Sequence, residues 1–209
     1  MEAARTAVEA DSDHDLRVPC YCEENVWRLA HRMTHQEGNK EEHQYHVVFV
    51  SNPTKCVPMF QQLANSSPLE PVFWDYHVIL LETLKDGTKV LDIDSHLQYK
   101  LSLKDYLKAV FPNWNEWTQT YLPYFRVIEA SFFLKSFASD RSHMINPETK
   151  EWNAQPPPYP CIQTETSNNN ISKFFTVTEE ESQSNAKNEG SDFGAVYSIQ
   201  QLMERYQVS

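Results

Sequence analysis

Apolar residues recur at helical spacing from Glu23 onward, where Val26, Ala30 and Met33 form one stripe flanked by Trp27 and Leu29. Glu23 and Glu24 fall in the first turn, where the helix dipole favours acids. A second helix is predicted from Ser102, with Leu103, Tyr106, Leu107 and Val110 on one face, Ser102 and Asp105 in capping-box spacing, and Pro112 as its stop. A closing helix starts at Ser198 in a Ser-x-x-Gln cap and turns Ile199, Leu202, Met203 and Tyr206 inward. Shorter apolar runs read as strands: Gln44 to Ser51, ended by Asn52-Pro53, and Tyr124 to Ala130. Pro71 to Leu81 and Val90 to Asp94 read as the arms of a hairpin, with Asp86-Gly87 supplying the positive-φ turn. Residues 52–70 form a polar connection, Ser131 to Ala138 a short helix, and Pro156-Pro157-Pro158 an extended rigid segment. Helices and strands mix without βαβ alternation, so the fold class is α+β with a largely antiparallel sheet.

The periodic stretches fit one domain over residues 17–209. It is preceded by a small, acidic tail at 1–16 that lacks periodicity and reads as mobile. Residues 163–191, with Asn168-Asn169-Asn170 and Glu179-Glu180-Glu181, form a variable polar excursion interrupted by a small helix around Phe174 and Phe175. Five Trp and 12% aromatic residues supply a dense core. The formal charge of −11 argues against nucleic-acid binding, which needs clustered Lys and Arg, and is compatible with a cationic ligand. No apolar run suits a membrane span and no signal-peptide layout is present, so cytosol or nucleus is expected. Four cysteines in 209 residues are too few for a disulfide scaffold.

Candidate chemistry concentrates in two places. Cys22 stands at the predicted start of the first helix, where free N–H groups and the dipole favour a thiolate, while Glu23 and Glu24 oppose it. His77 sits in an otherwise apolar strand, sharing a face with Asp75 and Ile79, and the facing arm carries Asp92 and Asp94 on one side. A two-residue turn at Asp86-Gly87 favours Asp94 as the acid that orients His77, and a longer loop favours Asp92. A nucleophile on the N-terminal helix with base and acid on later strands is the papain-like arrangement. The plain alternative makes Cys22 a small buried residue and His77 a satisfied core histidine. A zinc site is disfavoured because Cys20 and Cys22 are only one residue apart. His31, His35, His43 and His46 read as surface histidines, and Arg141 and His143 equally as loop core or as site.

Four segments together carry a resemblance: Cys20-Tyr21-Cys22-Glu23-Glu24-Asn25, Trp74-Asp75-Tyr76-His77-Val78, Phe137-Ala138-Ser139-Asp140-Arg141-Ser142-His143-Met144, and the proline run ending in Tyr159-Pro160-Cys161. They resemble the eukaryotic protein N-terminal glutamine amidohydrolase family, from about Cys20 to Tyr206. The resemblance implies a papain-like or transglutaminase-like fold and a Cys-His-Asp triad made of Cys22, His77 and Asp92, so it chooses Asp92 where strand geometry chooses Asp94. It also implies a thiol hydrolase that turns an N-terminal glutamine into glutamate upstream of arginylation in the N-degron pathway, without metal or organic cofactor. Its partners would be proteins and peptides that begin with glutamine, met by a monomer, with no nucleic acid or membrane involved. Departures from the family pattern are a shorter hairpin loop and the divergent stretch 163–191. Candidates for binding the substrate's α-ammonium are Glu23, Glu24, Asp75 and Asp140. A cysteine peptidase, a transglutaminase and a non-catalytic binding module remain as rival readings.

Overall fold

The computed structural model describes residues 13–35, 43–183 and 193–208. A six-stranded sheet forms its middle layer, built from β1 (Gln44–Ser51), β4 (Tyr76–Leu84), β5 (Gly87–Leu91), β6 (Leu101–Ser102), β7 (Tyr124–Glu129) and β8 (Ala195–Ser198). The strands run in the order β6-β5-β4-β1-β7-β8, and every neighbouring pair is antiparallel. β2 (Val57–Met59) and β3 (Val72–Trp74) pair separately as a two-stranded sheet.

Alternation along the strands divides the core between two helix layers. On one face, Val47 and Phe49 of β1 and Tyr76, Val78 and Leu80 of β4 pack against α1 (Cys22–His35), α3 (Ala130–Ser136) and α4 (Ser172–Phe175). On the other, Val48, Val50, Ile79 and Leu81 pack against α2 (Leu103–Val110) and α6 (Ile199–Arg205), while the short α5 (Glu179–Gln183) carries no buried residue. The expected caps are present. Ser102 accepts from the Asp105 N–H, and Ser198 and Gln201 form a reciprocal capping box at the start of α6.

Several expectations change. The arm expected over 71–81 breaks at Asp75, so β3 leaves for the small sheet and β4 begins at Tyr76. The hairpin closes on the pair Leu84 and Gly87, making Lys85-Asp86 the turn. The required positive φ falls at Gly87, just after it. β5 then ends at Leu91 instead of running to Asp94, because Ser95 bridges to Gln62 and the Leu63 N–H bonds to the Asp94 carbonyl. Residues 52–70 contain β2, and β8 precedes the closing helix; both strands are too short to show a period. Asp13 and Leu16, expected in a mobile tail, are buried, with Asp13 accepting from Arg32 and Tyr99; residues 1–12 lie outside the described residues. The polar excursion is anchored within its described part, since Ile171, Phe174 and Val177 are buried; residues 184–191 of it are not described.

Candidate active site

The end of α1 that carries Cys22 and the start of β4 that carries His77 converge where β5 has left the sheet. β5 pairs with β4 only from Leu80 to Leu84, so the edge of β4 is open beside Val78. The Val78 backbone N–H on that open edge acts on the Cys22 sulfur and favours its charged form. Cys22 and His77 line one cavity of about 300 Å³ together with Trp74, Asp75, Asp94 and His143. α1 approaches from one face of the sheet, while His77 shares the other face with Ile79 and Leu81, so the two groups arrive from opposite layers.

His77 is held by Asp92. Its Nε2 lies 3.2 Å from both carboxylate oxygens, and the acid is fixed in turn by the Tyr106 hydroxyl, donating at 2.7 Å, and the Asp94 N–H, donating at 3.0 Å. His77 is 1% exposed and Asp92 6%, so the pair is screened from water. Burial alone lowers the pKa of the imidazole, but the charge and hydrogen bond of Asp92 outweigh it and raise that pKa above its ordinary value. Burial likewise raises Asp92, and its three donors outweigh that and hold the carboxyl below the usual range. The other ring nitrogen, Nδ1, is buried without a hydrogen-bond partner. An imidazole with one nitrogen locked on a carboxylate and the other free has the form of a general base.

The conflict at Cys22 between the helix start and the acids is resolved against the thiolate. Burial, then the charges of Glu23 and Asp94, pushes the thiol well above its usual range, and the Val78 N–H only partly offsets this. The thiol donates to Glu23 Oε2 at 3.7 Å rather than to His77. Glu23 is fully buried and also accepts from the Tyr76 hydroxyl at 3.1 Å; its other oxygen lies 3.4 Å from His143 Nε2. Burial lowers the pKa of His143, but the carboxylate of Glu23 beside it outweighs this and raises that pKa.

The same segments as a whole match known proteins. The family model for N-terminal glutamine amidase matches residues 17–206. A Homo sapiens protein N-terminal glutamine amidohydrolase is 35% identical over 188 residues, covering 90% of this chain and 85% of that protein. A Danio rerio protein of the same name is 36% identical over 190 residues (90% and 88% covered), and one from Arabidopsis thaliana 34% over 178 residues (82% and 79%). The chain belongs to the N-terminal glutamine amidase family.

In this member of the N-terminal glutamine amidase family, Asp92 meets His77 as the resemblance implied, and Asp94 does not. Continued in register, β5 would have set Asp94 opposite His77, but the chain turns off after Leu91 and Asp94 is taken by Arg17 at 2.7 Å and Asn25 at 3.0 Å. Glu24 is fully engaged by Arg141, which grips both its oxygens at 2.8 Å and also donates to the Pro157 and Tyr159 carbonyls. That buried fork makes Arg141 loop core, tying the proline run to α1. His143 instead belongs to the cavity. Residue types alone gave no role to Tyr106 or Tyr76; the usable signal was a tyrosine on a buried face, whose hydroxyl needs a partner. Of the histidines expected at the surface, His31 and His35 are exposed, whereas His43 and His46 are half-buried, His43 against Glu82. All four cysteines are free thiols, and no group of three or more His, Cys, Asp or Glu among the described residues could hold a metal ion. No helix among them is long and apolar enough to cross a membrane.

Proposed function

We propose that this chain removes the side-chain amide of an N-terminal glutamine, leaving glutamate and ammonia, with Cys22 as nucleophile, His77 as base and acid, and Asp92 as the group that fixes the imidazole. The observation that carries the reading is the buried His77–Asp92 pair, its Nδ1 without a partner, in a residue that lines one cavity with Cys22. Family membership and the names of the relatives supply the substrate.

Because the resting sulfur is a thiol, His77 acts by taking its proton at the moment of attack rather than by holding a standing ion pair. Hydrogen bonds of this kind are often loose before substrate arrives, and the S–H has to turn from Glu23 toward Nδ1. The sulfur then adds to the carboxamide carbon, and the oxyanion accepts from the Cys22 N–H in the first helical turn. Imidazolium returns the proton to nitrogen, the C–N bond breaks, ammonia leaves and a thioester remains. A water deprotonated by His77 opens the thioester, releasing glutamate and restoring the thiol. Asp92 stabilises imidazolium in both halves and keeps Nδ1 the reacting nitrogen.

Nucleophile on the helix, with base on a strand and acid just past the next one, is the order of papain-like and transglutaminase-like enzymes, and the chain is read here as a distant relative working as a monomer in cytosol or nucleus. Proteins that begin with glutamine are its partners, and its product would feed the N-degron pathway. The test is mass spectrometry of a Gln-initiated peptide together with free-ammonia detection. The chain should convert the terminal amide to acid, and Cys22→Ala should stop it while leaving the fold intact. Turnover by Cys22→Ala, or peptide cleavage or amine incorporation in place of ammonia release, overturns the reading.

A further inference from the structure

Only a chain start carries an α-ammonium, and the covalent geometry of glutamine restricts where that charge can be read. Four bonds separate the α-nitrogen from the carboxamide carbon, so the ammonium stays within about 5 Å of the atom that the sulfur attacks. Its partner must therefore line the cavity or stand immediately behind its wall. Glu24 is consumed by Arg141, and Asp140 holds Asn169 and the Ser142 N–H away from the cavity lining. Asp94 lines the cavity but is neutralised by Arg17 and hydrogen-bonded by Asn25. Glu23 lies behind the lining with no exposure, walled by Cys22, Tyr76 and His143, so an ammonium in the cavity does not meet it unless one of these moves.

Asp75 differs from all of these. It is exposed, it lines the cavity, and it sits at the break between β3 and β4, outside both ladders. One oxygen accepts the Tyr76 N–H at 2.9 Å, and among the described residues no cation pairs with the carboxylate. Its charge is felt at both Cys22 and His143, which line the same cavity.

We propose that Asp75 binds the α-ammonium of the substrate and so restricts the enzyme to chain starts. The proposal rests on the amidohydrolase reading above. A charge-assisted hydrogen bond there also anchors the chain start, so that the glutamine side chain is presented toward the sulfur on the same cavity.

The test is a cycle that removes the carboxylate from the enzyme and the amine from the substrate. The substrates are a Gln-initiated peptide and the same peptide with hydrogen in place of the α-amine. The enzymes are the wild-type chain, Asp75→Asn and Glu23→Gln, and kcat/KM is read from ammonia release. Asp75→Asn keeps an oxygen for the Tyr76 N–H, and Asp75→Ser serves as a second variant. Loss of either partner should cost about 10- to 100-fold, and loss of both little more than loss of one. Equal relative losses on both peptides mean that Asp75 acts only through structure, and coupling at Glu23→Gln but not at Asp75 moves the ammonium to Glu23. Either result overturns the assignment. A wild-type chain that releases no ammonia from either peptide overturns the parent reading and this one with it. Normal turnover of the amine peptide with no coupling at Asp75 sinks this one alone.

Discussion

Asp92→Asn is the sharpest probe of the site, because Asn keeps the shape and removes the charge. Every contact that Asp92 makes is as an acceptor: from His77 Nε2 at 3.2 Å, the Tyr106 hydroxyl at 2.7 Å and the Asp94 N–H at 3.0 Å. A carboxamide has one accepting oxygen, so its NH₂ group must face one of these donors. The least costly way out is for the imidazole to switch tautomer, moving its proton to Nδ1 and abolishing the base. Breaking a buried charged pair costs roughly 3–5 kcal/mol. If the loss falls on the imidazolium-like transition state, kcat drops about 10²- to 10⁴-fold. Steady-state ammonia release should show that fall in kcat with KM little changed. Asp94→Asn, which loosens Arg17 and Asn25 but not the imidazole, should cost far less in kcat. The pair also sets a stability window. His77 has a raised pKa, so its contribution is complete below the unfolded value of 6.5 and is lost as pH rises through the folded value. Asp92 has a lowered pKa, so its contribution is present above 3.8 and is lost as pH falls through its own folded value. Denaturation of the wild-type chain should therefore show this term at full strength between those values, and Asp92→Asn should remove it. A kcat within threefold of wild type, or an equal loss in Asp94→Asn, would refute the assignment of His77's partner.

Glu23→Gln should lower the pH at which iodoacetamide alkylates Cys22, since it removes the nearest charge opposing the thiolate; an unchanged profile excludes that electrostatic role. Arg141→Ala leaves Glu24 buried and unpaired and should cost roughly 3–5 kcal/mol in denaturant unfolding, whereas Glu24→Gln with Arg141 retained should cost less. At Gly194, φ is +86° and an added Cβ would stand 2.3 Å from the Val127 carbonyl oxygen, so Gly194→Ala should lose about 2 kcal/mol or more at the β7–β8 pairing; native-like stability there would contradict the backbone described.

Legibility followed the range of the interaction. The buried stripe Val26, Leu29, Ala30 and Met33, the strand Gln44–Ser51 and the Ser198 capping box are local patterns, and each lies where the sequence points. Cys22 at a helix start was equally local. Which acid serves His77 was not, because it depends on Ser95 bridging to Gln62, a contact between distant segments that leaves no periodic mark. Strand register alone points to Asp94 and the family resemblance to Asp92; the contact in the structure is with Asp92. The burial of Glu23, Glu24 and Asn25 is hidden for a related reason: polar residues in a first turn carry no local mark of burial, which comes from Tyr76, Arg141 and Asp94 arriving from elsewhere.

The sulfur is delivered by the layer containing α1, and the imidazole with its acid by the layer containing α2. Under the proposed mechanism, turnover is thus a logical AND over the two halves of the interior: a partly refolded chain with either half undocked lacks part of the Cys22, His77 and Asp92 set. Activity recovered during refolding should track the slower half, even when most backbone structure has already returned.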